Sequence, residues 1–261
     1  MALSAQSLIK GLVSRLLPSP NPDSQNTDVA FRQWRYGELA IVSMTRKHHN
    51  LCDEGSYFIT NNAQTGVAMV TTSGFTATSP FIIVSNNNTV GGNNIYLDYI
   101  TLVCTVAGTA ASGLTYTGAQ FVLDTGLRYS SAGSNITANI VGANMNLANT
   151  KSGASVYTGA LVATAPSGVA RTLVGLRVVR PALSGTVATV VGDVINFNFG
   201  GVESAANGNV SITAGVMNTV PVPMPPAVIG PQQSALLYIN YAASGTPVAA
   251  QWASEVAYWE R

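Results

Sequence analysis

From Gly37 onward, apolar and β-branched residues come in short runs: GELAIVSM, GSYFIT, GVAMVTT, PFIIVS, NIYLDYITLVCTV, LTYTGAQFVLD, VARTLVGLRVVRP, DVINFNFG, NVSITAGVM, SALLYINY and VAAQWASEVAYWE. Gly/Asn/Ser clusters such as NNNTVGGNN, AGTAASG and SAGSN separate them and supply the backbone freedom of tight turns. The pattern predicts roughly ten antiparallel strands and, after Leu17, no sustained helical period. In SALLYINY, Leu236, Tyr238 and Asn240 fall on one face and Leu237, Ile239 and Tyr241 on the other, so both faces are largely apolar. Such a strand needs a cover on each side. One cover is the opposite sheet of a sandwich, and a neighbouring subunit is a candidate for the other. With VAAQWASEVAYWE, joined through ASGTP, this run reads as the closing hairpin.

The first residues follow a different rule. Leu8, Leu12 and Leu16 recur every four positions, Ile9, Val13 and Leu17 run beside them, and Leu3 is roughly in line. This predicts an amphipathic helical arm over residues 1–17, about four turns long. Lys10 and Arg15 interrupt the apolar run that a signal peptide needs. An amphipathic, acid-free transit peptide is the minor alternative. Pro18, Pro20 and Pro22 stop the helix and open an extended, Pro-rich spacer over 18–34. Residues 35–261 hold no second linker-like stretch, which favours one β-sandwich of the jelly-roll kind over two domains. Within it, VPVPMPPAVIGP cannot donate fully to a ladder and reads as an edge or crossover feeding the last strands. The arm's seven apolar residues form the expected partner-binding stripe, with a partner or the chain's own body as the docking site.

Composition sharpens this. Only 9% of the 261 residues are charged, against roughly 25% in an ordinary soluble domain. Ser, Thr, Asn, Gln and Gly must therefore coat the exterior, and a weakly hydrated surface favours burial in an assembly over a secreted monomer. A net charge of +1 gives no field to gather nucleic acid or an anionic membrane. No apolar run approaches the ~18 residues of a spanning helix. Eleven charged residues, from Lys10 to Glu54, crowd into the first fifth of the chain or just beyond it.

Candidate chemistry is thin. His48 and His49 are adjacent and in extended backbone point to opposite sides. With Asp53 and Glu54 they lie in RKHHNLCDEG, which reads as a solvated turn more readily than as a metal cluster. No GxSxG, HExxH, Walker or GxGxxG pattern occurs, and no cofactor is expected. Asp98, Asp124, Asp193, Glu203, Glu255 and Glu260 are scattered singly, and paired carboxylates for glycoside hydrolysis stay open because separation in space is invisible in a sequence. Cys52 and Cys104 allow at most one bridge and read as free thiols, with Cys104 a small core residue. Sequons at Asn87, Asn135 and Asn209 matter only in a secretory pathway. Aromatics meet basic residues only in FRQWRYGE, where cation–π packing explains Trp34 and Tyr36 as well as RNA would.

RYGELAIVSM, LCDEGSYFIT, NIYLDYITLVCTVAGTAASG and the terminal YWER together resemble the virion structural proteins of tailed bacteriophages, in particular jelly-roll capsid decoration or cement proteins. The resemblance runs from Arg35 onward and has no catalytic signature to anchor it. It implies a homo-oligomer, a trimer by analogy, seated on the major capsid protein at the capsid surface after assembly in the host cytoplasm. It also implies that the N-terminal arm grips the shell. Three alternatives remain: a tail or head fibre involved in host recognition, a jelly-roll coat protein, and a carbohydrate-active sandwich enzyme. The missing heptads weigh against a fibre, and the scarcity of basic residues in the arm weighs against a genome-enclosing coat.

Overall fold

The computed structural model describes residues 49–62, 66–69, 75–108, 116–137, 144–146, 152–164, 171–178, 189–204, 221–242 and 250–261. The expected arm with Leu3, Leu8, Ile9, Leu12, Val13, Leu16 and Leu17, the spacer, and the runs GELAIVSM and NVSITAGVM lie outside them. The chain divides into two units after Asn50, and every described strand belongs to the second, Leu51–Arg261.

A helix of five residues, α1 (His49–Asp53), precedes the strands. It stops at Gly55, whose φ of 70° places it in the left-handed region that ends helices. The Gly55 N–H donates to Cys52 O at 3.0 Å and the Ser56 N–H to Leu51 O at 2.9 Å. Part of the segment expected as a plain loop is therefore helical, in a piece too short for its period to be read.

Sixteen strands follow among the described residues: β1 (Tyr57–Asn61), β2 (Val67–Ala68), β3 (Ile82–Asn86), β4 (Ile95–Val106), β5 (Tyr116–Asp124), β6 (Tyr129–Ser131), β7 (Ser134–Asn135), β8 (Ala154–Thr158), β9 (Val162–Ala163), β10 (Arg171–Val178), β11 (Val194–Asn198), β12 (Val202–Ser204), β13 (Pro221–Pro223), β14 (Ala227–Ile229), β15 (Ser234–Ala242) and β16 (Gln251–Glu260). Seven of these are only two or three residues long, which is why alternation revealed roughly ten. All the pairings are antiparallel.

Two six-stranded sheets dominate. In the first, the long strands β4 and β16 pair along their lengths, β11 and β14 share the other edge of β4, and β1 and β2 share the other edge of β16. In the second the order is β10-β5-β15-β3-β8-β7. The two sheets bury one apolar core between them, which makes the body an antiparallel β-sandwich. The Pro-rich stretch supplies the edge strands β13 and β14, and the chain then crosses from the first sheet into β15 of the second.

The last two long strands are not a hairpin. β15 lies between β5 and β3 in one sheet, and β16 lies in the other. Alternation exposes the two faces of a strand but not the neighbours of its two edges, and here each edge is taken by a strand distant in sequence.

The alternation within β15 holds. Leu237 and Ile239 enter the core between the sheets, while Leu236 and Tyr238 point to the far side. That second face is covered by the chain itself: Ile83, Val122, Leu161 and Ala163 pack with Leu236 and Tyr238, and the two-stranded ribbon β6–β9 supplies part of the cover. Tyr238 donates to Ala77 O at 3.0 Å, and Phe75 meets its ring edge-on at 4.8 Å. No neighbouring subunit is needed there.

Across the main core, Phe121 of β5 lies 6.0 Å from Phe197 of β11 and 4.6 Å from Phe199, joining the sheets through three aromatic rings. Phe58 stacks on the buried Tyr258 at 5.4 Å. Cys104 is buried in this core as expected, and neither it nor Cys52 is in a disulfide. Phe121→Ala removes a fully buried ring that touches both sheets and should destabilise the fold by about 3–5 kcal/mol. Urea unfolding checks this, and a loss below about 1 kcal/mol would show that the Phe cluster does not join the sheets.

Candidate functional site

The outer face of the first sheet carries aromatic and acidic side chains at one end and exposed valines at the other, and two irregularities in β4 shape it. Tyr99 pairs with Ala257 and Leu97 with Tyr258, so Asp98 is an extra residue opposite nothing. Cys104 pairs with Trp252 and Val106 with Gln251, so Thr105 is a second. Each insertion reverses the in–out alternation. Ile95 and Leu97 point inward, then Ile100, Leu102 and Cys104 do, and Val103 and Val106 both emerge on the outer face.

Near the Asp98 bulge the outer face carries two tyrosine–carboxylate pairs. Tyr57 donates to Asp98 Oδ2 at 2.8 Å, and Tyr99 donates to Glu255 Oε1 at 2.6 Å. Beside them Tyr96 and Trp259 stack at 5.4 Å with rings within 4° of parallel. Thr101 donates to Asn196 Oδ1 at 2.9 Å. Trp259 is thus a partly exposed face residue, whereas Tyr258 is core.

Burial, and then the Asp98 hydrogen bond, push the Tyr57 hydroxyl far above the usual phenol range. Burial followed by the Glu255 bond does the same to Tyr99. At Tyr258, burial and the charge of Glu260 outweigh the opposing hydrogen bond to Ser152. Hydroxyls held in this way serve as donors and are poor nucleophiles at neutral pH.

The scattered acids have distinct fates. Asp98 and Glu255 share the outer face on neighbouring strands, but Asp98 is only 3% exposed and its bulge position closes it to a substrate. Asp124 is buried in an ion pair with Arg128 at 2.8 Å and also accepts the Gly126 N–H at 3.1 Å. Asp193, buried, accepts the Val190 N–H at 2.8 Å and so shapes the turn before β11. Glu260 accepts the Ser152 hydroxyl and the Gly153 N–H, Tyr258 donates to the same Ser152 at 2.8 Å, and β16 is thereby clasped to the segment leading into β8. Glu54 pairs with Arg261 at 3.1 Å on the surface. Glu203 lies in β12.

His48 lies outside the described residues and His49 opens α1. Among the described residues no group of three or more His, Cys, Asp and Glu side chains is placed to hold a metal ion, and no helix is long and apolar enough to cross a membrane. The expected partner-binding stripe on residues 3–17 lies outside the described residues, so the face described here is a different surface. Its one sequence signal is the broken alternation at LDY and CTV in β4, which marks bulges only once the partner strand is known.

At the opposite end of this face, Val103 and Val194 are cross-strand partners and both are exposed. Val106, Val190 and Val191 are also exposed, and the turn bearing Val190 and Val191 is tied to β4 where the Gly192 N–H donates to Cys104 O at 2.9 Å and the Cys104 N–H donates to Asp193 O at 2.8 Å.

Two predictions follow from the geometry. The raised tyrosines make folding insensitive to their ionisation below the unfolded-state value of about 10, and stability falls as pH rises beyond it, because the unfolded chain gives up those protons first. In an alkaline titration followed by tyrosinate absorbance, Tyr57, Tyr99 and Tyr258 should ionise only as the protein unfolds. If Tyr99→Phe removed a reversible native-state step near pH 10, the Tyr99–Glu255 pair would be wrong. Asp124→Ala strands the buried Arg128 guanidinium and should cost about 3–5 kcal/mol in urea unfolding, with a cost below about 1 kcal/mol showing that the pair is not buried as described.

No protein-family profile, no curated protein and no solved structure matches the chain.

Proposed function

We propose that the protein is a non-enzymatic structural component of a bacteriophage particle, a decoration or cement protein that binds the capsid surface as a homo-oligomer. The body then has jelly-roll connectivity, and residues 1–17 form the arm that grips the shell. The observation that carries the reading is the pairing of a charge-poor chain with an outer sheet face whose carboxylates are held by tyrosines of the same sheet and whose far end is bare valine. Such a face gains by contact with another protein surface and offers little to nucleic acid. Placing consecutive long strands in opposite sheets supports jelly-roll connectivity, as does the crossover from β14 to β15. A protein that binds only the assembled shell stabilises it by mass action, adding free energy to that state alone.

Electron cryomicroscopy of phage particles purified from producing cells tests the reading. Many copies arrayed over the shell are expected, whereas a few copies at the tail tip, or none, would overturn it. Deleting residues 1–20 should abolish binding to expanded capsids while leaving the β-sheet circular dichroism of the body intact. Undiminished binding would show that the arm is not the grip.

A further inference from the structure

We draw no further inference here: the strongest candidate, the cavity of about 200 Å³ lined by the end of β5, the start of β15 and β14, carries nothing, because the side chains of Asp124, Gln233 and Ser234 in its wall are already bonded to Gly126, Arg128 and Gly230 of the same chain and nothing in the structure shows what would fill it.

Discussion

Burial of the facing apolar sides of two six-stranded sheets is the constraint that organises the described body. It fixes which residues of β4, β16, β5 and β15 turn inward, and through Phe121, Phe197 and Phe199 it sets the sheets against each other. Because no single run is long enough to form its own core, every strand depends on partners far along the chain. β16 illustrates this: it is useful only when laid between β4 and the β1–β2 edge, and its Glu260 then reaches Ser152 and Gly153 ahead of β8.

The same constraint explains where the few charges go. With so little charge in the body, acids such as Asp98, Asp124, Asp193 and Glu260 serve inside, holding a bulge, an ion pair, a turn and a clasp. A buried carboxylate is tolerated only when donors meet it, and each of these has donors supplied by neighbouring backbone or side chains. The proposal of an assembly protein draws on this distribution.

Much of the strand pattern was legible in the chain. The alternation of Leu236, Leu237, Tyr238 and Ile239 correctly separated two buried faces, Cys104 was read as core, and the prolines of 221–226 were read as edge and crossover. What covers the second face of β15 was not legible, because the ribbon β6–β9 is made of strands of three and two residues that carry no period. Nor was the outer face. Asp98 and Glu255 are 157 residues apart in the chain, and only the register of β4 against β16 brings them to one side of a sheet.

The chain by itself determined that this is a β-rich, charge-poor protein with two-sided apolar strands, since hydrophobic period and composition are local properties that survive without a fold. Tertiary structure alone decided that β15 and β16 part into opposite sheets, that β4 bulges at Asp98 and Thr105, and that Val103, Val106 and Val194 therefore face outward together. The reason is that a strand's two edges are satisfied by backbone hydrogen bonds, which carry no side-chain signature. Which edges meet, and in what register, is settled by the packing of the whole sandwich.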